Sequence, residues 1–239
     1  INFNMNFKRN IKKLLAFKKE MEKYNHLEQS DIKSILTWRN KRQKKIKTIS
    51  KIINLNKCKG WYFDKNFNLY HKSGQFFKVK GVKTKGATGR EVKSWTQPIL
   101  TQKHGGVLAF ISRQTKKFGT QFLIEAKIEP GDDSIIKISP SFQATQSNMN
   151  RAHGGKRPNF YDIVMKLKGA ELIYYTIHNE EGARFWKKSN WNVIVNLKNP
   201  YDKRIKGKNY MWVSLRQIKK LALKNRYVNP FVKTILFIL

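Results

Sequence analysis

Residues 120–139 read TQFLIEAKIEPGDDSIIKIS, and this stretch decides the class of fold. Apolar residues of high strand propensity run from Thr120 to Glu129, a Pro-Gly-Asp-Asp signal interrupts them, and a second apolar run follows from Ile135 to Ser139. The pattern is strand, turn, strand. Glu125 and Lys127 alternate with Ala126 and Ile128, so the period of two gives the charged pair a common face. A carboxylate buried on such a face has its pKa raised and can act as an acid, whereas on an open face it is the polar side of a sheet. Glu129, just before Pro130 and Gly131, stands where the turn can bring a carboxylate to the strand end, facing a cleft.

Working outward, the same punctuation marks further strands at Trp61–Phe63, Leu69–His71, Phe76–Val82, Gly106–Ser112, Glu171–His178 and Trp191–Val195. Helices flank them. From Asn10 to about Tyr24, Ile11, Leu14, Leu15, Phe17 and Met21 follow three-to-four spacing, and Asp31 to about Ser50 predicts a second helix with Ser30 or Asp31 as cap. Ser214 caps a third, with Leu215, Ile218, Leu221 and Ala222 as its buried stripe. The closing FVKTILFIL reads as the start of a strand. The class is α+β, with an N-terminal helical arm.

The 239 residues carry a formal net charge of +35, which by itself suggests a polyanionic partner. The composition argues otherwise. Lysines number 39 and arginines 11, with 21 asparagines and 23 isoleucines, a bias of AT-rich codons rather than of a base-reading surface, which favours Arg. The excess is also dispersed: residues 1–60 hold 17 basic and 4 acidic groups, and no single tail concentrates it. The run RNKRQKKIK at 39–47 fits a solvated helix face, with an acidic partner as the alternative. Cys58 alone excludes an intrachain disulfide framework. A reducing cytoplasm is the expected compartment, and no run approaches the ~18 apolar residues that span a bilayer.

The segment Ile138–Tyr161, ISPSFQATQSNMNRAHGGKRPNFY, packs hydroxyls, amides, basic groups and a Gly-Gly pair into a region poor in large apolar residues. Each unsatisfied buried polar group costs roughly 1–3 kcal/mol. These side chains are therefore expected to face water or a polar ligand.

Five blocks occur in order: SGQFFKVKGV (Ser73–Val82), REVKSWTQPIL (Arg90–Leu100), ISPSFQATQSNMNRAHGG from Ile138, NEEGARFWKKSNWN (Asn179–Asn192) and MWVSLRQIKKLAL (Met211–Leu223). In these the chain resembles the NDP-hexose 2,3-dehydratases, over nearly everything from about Trp38 onward. The resemblance implies a Nudix-like fold, a mixed β-sheet between helices, with 1–58 as helical arm and 59–239 as a single dehydratase repeat. Members of the family usually carry two tandem copies. The chain is thus expected to be a half-length unit that pairs as a homodimer, or a piece of something longer. The spaced carboxylates of a Nudix metal helix are missing: REVKSW holds one isolated Arg-Glu pair.

The activity implied is loss of water across C2 and C3 of a nucleotide-linked 4-keto-6-deoxyhexose, of the dTDP-4-keto-6-deoxyglucose type, in deoxysugar biosynthesis. Such a carbon-oxygen lyase needs a base, an acid, donors at the developing enolate oxygen and cations for the diphosphate. No cofactor or metal is expected, and GxGxxG, Walker A and metal-cluster spacings do not occur. The catalytic candidates are His153, Glu129 and Tyr161, with His71, His104, Glu125 and Glu180 also available. The candidates for binding substrate are Arg90, Trp95, Gln97, Gln143, Thr145, Asn148, Arg151 and Arg184. Their bland readings are ion pairs of Arg90 with Glu91 and of Arg184 with its neighbouring glutamates, a loop histidine at 153, and core aromatics. Where many members read Asn-Met-Asp-x-Arg after the last helix, this chain has Asn229, Pro230, Phe231, Val232 and Lys233. That leaves open a non-catalytic nucleotide-sugar-binding or dimerisation unit. A nucleic-acid binder is the third reading, and neither nucleic acid nor membrane is the expected partner.

Overall fold

The computed structural model describes residues 3, 6–132, 134–152 and 154–239. Helix α1 (Phe7–Lys23) starts where the Asn6 side chain accepts the Arg9 N–H at 2.9 Å, and it buries Asn10, Leu14, Phe17 and Met21 along one face. Helix α2 (Lys33–Lys45) is shorter than its sequence predicts. No side chain caps it at Ile32, and it stops at Lys45, so that Ile46 and Ile49 leave the helical face and Ile49 stands in solvent. Ile46, Thr48 and Ile49 are β-branched and stiff at χ1, and no packing there offsets their weak helix preference.

The strands are β1 (Trp61–Phe63), β2 (Leu69–His71), β3 (Lys78–Lys85), β4 (Ser94–Thr101), β5 (Gly106–Thr115), β6 (Gly119–Lys127), β7 (Lys137–Pro140) and β8 (Phe142–Thr145). After the short helices α3 (Gln146–Met149) and α4 (Tyr161–Met165) come β9 (Ala170–Asn179), β10 (Phe185–Trp186), β11 (Ser189–Leu197) and β12 (Tyr210–Val213), then α5 (Leu215–Ala222) and α6 (Lys233–Ile238). Helix α5 has the expected Ser214 cap, completed as a capping box by Gln217. The C-terminal run, expected as a strand, is instead a turn at Pro230–Val232 followed by α6, with Val232 and Ile235 buried in the helical layer. A short apolar run without long-range partners in view does not distinguish the two.

The larger sheet has the order β12-β6-β5-β11-β9; β7 pairs with β6, β8 with β5, and β11 runs parallel to β5. Alternation along its strands sorts side chains to two faces. Phe110, Phe122, Ile124, Ile138 and Ile194 meet Phe17 and Met21 of α1, Ile35 of α2 and Leu215, Ile218 and Leu221 of α5. On the other face Val107, Ala109, Ile111, Leu123, Val193 and Val195 meet Met149 of α3 and Ile163 and Val164 of α4. A mixed sheet between helices is thus the observed α+β architecture. Each fully buried side chain of this size contributes about 1.5–3 kcal/mol.

The segment 1–58, expected as an arm, contributes α1 and α2 to this helical layer. Asn10 lies against β9, donating from Nδ2 to the Tyr175 carbonyl at 2.6 Å and accepting the Tyr175 N–H at 3.1 Å. One side-chain amide thereby occupies the ladder position that another strand would take, covering part of a free sheet edge.

The smaller sheet, β1-β2-β3-β4-β10, is an antiparallel meander closed by a parallel pairing of β10 with β4. Since β10 lies in the connection from β9 to β11, that connection ties the two sheets together. Where that connection enters β11, Gly105 in the link from β4 to β5 passes so close that a Cβ would lie 1.6 Å from the Ser189 carbonyl oxygen.

Candidate active site

A cleft of about 430 Å³ opens where β5 changes partner. Its first half, Gly106–Ala109, pairs with β8, and its second half, Ser112–Thr115, pairs with β6. Ser141 stands at the junction, where its hydroxyl receives the Ile111 N–H at 2.8 Å and donates to the Ala109 carbonyl at 3.2 Å. It thereby bridges the gap in the ladder. This explains why Ser141, in a segment expected to face a ligand, is buried with its hydrogen bonds satisfied.

Beyond the junction β6 and β8 diverge, and the cleft between them is lined by Glu125 and Lys127 of β6, Gln143 of β8 and Tyr210 of β12, with Asn148, Arg151, Lys156 and Asn159 from the following segment. Three cations, three amides, a carboxyl and a phenol therefore surround one space. Arg151 adopts the left-handed conformation, φ 57°, directly after the turn of α3. Gln143 donates from Nε2 to Glu129 at 3.1 Å, and Lys127 Nζ lies 2.9 Å from the same carboxylate. Gln143 Oε1 is buried without a partner among the described residues.

Two groups of this cleft, Glu125 and Tyr210, lie opposite one another on β6 and β12 and are both displaced from their ordinary values. The Tyr210 hydroxyl donates to Glu125 Oε1 at 3.3 Å and accepts from Asn159 Nδ2 at 3.0 Å. Burial pushes the Glu125 carboxyl above the ordinary carboxylate range, against the pull of Lys127 and of the Tyr210 hydrogen bond. Burial, followed by the charge of Glu125, pushes the Tyr210 phenol up to about 12.

Gln143, Asn148 and Arg151 are thus brought together, with Glu129 held at the edge through Gln143 and Lys127. Thr145 faces inward on its own turn instead. It caps α3 by accepting the Asn148 N–H at 3.4 Å and shares a hydrogen bond with Ser147. Tyr161 begins α4, packs against the core under the Arg157 guanidinium at 4.9 Å, and does not line the cleft. His153 lies outside the described residues.

The remaining candidates gather elsewhere. Arg90, Trp95 and Gln97 line a second cleft of about 720 Å³ on the smaller sheet, with Glu91, Trp186 and the loop at Gly182 and Ala183. Trp95 Nε1 donates to Gln97 Oε1 at 2.8 Å, and Gln97 Nε2 to the Ala183 carbonyl at 2.6 Å, so these two brace the wall. Among the described residues no ion pair joins Arg90 to Glu91. Arg184 pairs with Glu181 at 2.9 Å in solvent. Of the other histidines considered, His71 hydrogen-bonds Ser73 and packs on Trp61 and Phe76, whereas His104 lines a third, polar cleft beside α3.

Tyr210, Lys156 and Asn159 were not singled out by the sequence. Tyr210 lies 85 positions from Glu125, and an aromatic before Met-Trp-Val carries no signal of its own. Among the described residues no group of three or more His, Cys, Asp or Glu side chains converges as metal ligands would.

Residues 32–239 match the family described as NDP-hexose 2,3-dehydratase. Three curated relatives carry the name dTDP-4-dehydro-6-deoxy-alpha-D-glucopyranose 2,3-dehydratase. That of Saccharopolyspora spinosa is 30% identical over 74% of this chain and 35% of its own length. Those of Amycolatopsis orientalis and Streptomyces violaceoruber are 29% and 28% identical, over 74% and 77% of this chain and 37% and 40% of theirs. The chain spans little more than a third of the length of these relatives. Among solved structures, an ADP compounds hydrolase aligns with a TM-score of 0.42 at 10% identity, over 68% of this chain and 83% of its own. The C. elegans Ap4A hydrolase aligns at 0.35 and 14%, over 57% and 98%.

Proposed function

Because the chain belongs to the NDP-hexose 2,3-dehydratase family, we propose that it acts on a nucleoside-diphosphate 4-keto-6-deoxyhexose of the dTDP type, removing water across C2 and C3. The observation that carries this reading is the cleft itself: Gln143, Asn148 and Arg151 of the polar block form a wall facing Glu125, Lys127 and Tyr210. Arg151 and Lys156 supply charge-assisted contacts for a diphosphate. Amides at Gln143, Asn148 and Asn159 suit sugar hydroxyls, and the bare Gln143 Oε1 accepts one of them.

In the reaction a base takes the C3 proton, the bond electrons move onto the C4 oxygen, and the enolate expels the C2 hydroxyl with a proton from an acid, giving water. The resulting C3 enol tautomerises to a 3,4-diketone. Glu129, at the cleft edge, and His153 are the candidates for the base, while Tyr161 serves the reading only through a rearrangement of α4. The clefts on the two sheets divide the binding candidates. We assign Gln143, Asn148 and Arg151 to the reacting sugar and its diphosphate, Arg90, Trp95 and Gln97 to a contact on the smaller sheet, and Thr145 to the cap of α3. We further propose a homodimer and a cytoplasmic setting, with 1–58 as the helical cover of the 59–239 unit. Among the described residues no helix is long and apolar enough to cross a membrane.

A second reading, the binding or pairing partner of a catalytic copy, is favoured by Asn229–Lys233, which lacks the acidic residue and the arginine that many members of the family carry after the last helix. The test is incubation with dTDP-4-keto-6-deoxyglucose in deuterated water, with and without chelator, followed by NMR. Loss of the C2 hydroxyl supports the dehydratase reading. Line broadening without chemistry supports the binding unit, and no interaction overturns both.

A further inference from the structure

Glu125 has an environment unlike that of any other carboxylate in the cleft. The one ammonium beside it on β6, Lys127, is paired with Glu129, and among the described residues no cation lies within ion-pair distance of Glu125. Its neighbour across β7 is Ser139, fully buried, whose hydroxyl has no partner among the described residues. Its neighbour on β12 is Tyr210, whose hydroxyl is the one hydrogen-bond partner of its side chain among the described residues, at Oε1. An ionised carboxylate needs two or three donors or a paired cation to offset its desolvation. Among the described residues Glu125 has a single phenol, at 3.3 Å.

The neutral acid fits the same surroundings. With the phenol donating to Oε1, that atom is the carbonyl oxygen of the acid, and the proton belongs on Oε2. We infer that Glu125 enters the cleft as a carboxylic acid and donates from Oε2 to the keto oxygen of the bound sugar, the atom on which charge develops as C3 is deprotonated. This rests on the nucleotide-sugar reading above. A neutral acid buried beside a tyrosine is a donor to a developing enolate, and such preorganised donors are worth about 10²–10³ in rate. The upward displacement of the Glu125 pKa by burial agrees with this geometry. The charged or titrating groups facing it are Tyr210, Lys127, Glu129, Arg151 and Lys156.

The test measures binding of two ligands, dTDP and dTDP-4-keto-6-deoxyglucose, by calorimetry from about pH 4, near the ordinary carboxylate value, upward to about pH 8.5. The proteins are wild type, Glu125→Gln, Glu125→Ala and Tyr210→Phe. The wild type should lose affinity for the keto-sugar nucleotide by about tenfold or more as pH rises through the Glu125 pKa. Glu125→Gln, whose amide donates at every pH, should hold its affinity within about threefold across the range, and Glu125→Ala should be weak throughout, by about tenfold. Tyr210→Phe, lacking the donor that favours the ionised form, should move the wild-type loss to higher pH.

Binding of dTDP alone should be the same in all four proteins, which also reports that each is folded. Identical pH profiles for wild type and Glu125→Gln would overturn the inference, as would an equal difference between these two proteins with dTDP alone, a comparison that cancels the titration of the ligand's own terminal phosphate and would put Glu125 at the diphosphate. Failure of the wild type to bind either ligand at any pH would sink the nucleotide-sugar reading itself, and the inference with it.

Discussion

The clefts on the two sheets hold similar residue types and do different things with them. The cleft on the larger sheet has Glu125, Arg151, Gln143 and Tyr210, and the cleft on the smaller has Glu91, Arg90, Gln97 and Trp95. Yet β5 and β6, the frame of the first, are buried along almost their whole length, while β3 is largely exposed. On the buried frame desolvation shifts the carboxyl and the phenol away from their usual values. In the solvent-exposed turn leading into β10 of the smaller sheet, water screens Arg184 and Glu181, and their pair contributes at most about 1 kcal/mol. What displaces the titrating groups of a polar constellation is the apolar layer beneath it.

The sharpest way to break this contrast is through that layer. Phe122→Ala removes a fully buried ring lying between α1 and the sheet and should destabilise by about 3–5 kcal/mol. Phe63→Ala, on the half-exposed β1, should cost less than about 1 kcal/mol. Denaturant melts compare them directly, and equal losses would mean that the smaller sheet is as much a core as the larger.

Ligand binding comes next. Arg151→Ala should weaken dTDP binding by about 10- to 100-fold, the loss of one charge-assisted contact. Arg184→Ala should change it by less than about threefold, because its guanidinium is spent on Glu181 in solvent. A reversed ranking by calorimetry would move the diphosphate to the smaller sheet.

Much of this arrangement can be read in the sequence, because local patterns carry it. The α1 face of Leu14, Phe17 and Met21, the Ser214 cap, and the β6 alternation that sets Glu125 beside Lys127 all depend on neighbours within a few positions. Strand β4 was not legible because Pro98 argues against a strand. It is tolerated where β4 pairs only with β3, before β10 joins at Leu100. Strand β12 is four residues long, and what makes Tyr210 matter is Glu125, far off in the chain. The polar block divided for a similar reason. Gln143, Asn148 and Arg151 face the cleft, whereas Ser141 and Thr145 satisfy backbone groups of β5 and α3, roles set by partners that spacing alone does not reveal.

Ser141 also sharpens the comparison at the level of a single hydroxyl. Ser141→Ala leaves the Ile111 N–H and the Ala109 carbonyl buried at the strand junction without that partner, which should cost about 1–3 kcal/mol. Ser94 on β4 likewise donates to a backbone carbonyl, that of Thr84, but in solvent. Ser94→Ala should stay within about 0.5 kcal/mol. Similar losses by thermal melting would show the junction to be hydrated.

The smallest effect is one of sign. Glu125 and Asp64 are carboxyls on the two sheets whose pKa values move in opposite directions. Burial raises Glu125, whereas hydrogen bonds from the Asn68 side chain and backbone lower Asp64, in the turn between β1 and β2. A raised carboxyl binds its proton more tightly in the folded chain. Its contribution is therefore complete below the unfolded value of about 4.3 and is lost as pH rises through the folded value. A lowered carboxyl contributes above the unfolded value of about 3.9, and that contribution is lost as pH falls through the folded value. Measured against wild type, Glu125→Gln should become relatively more stable as pH rises from acid to neutral, and Asp64→Asn relatively less. Melting temperatures of the three proteins across that range test both signs at once. Parallel curves for the two variants would mean that the apolar layer beneath the larger cleft does not set its electrostatics.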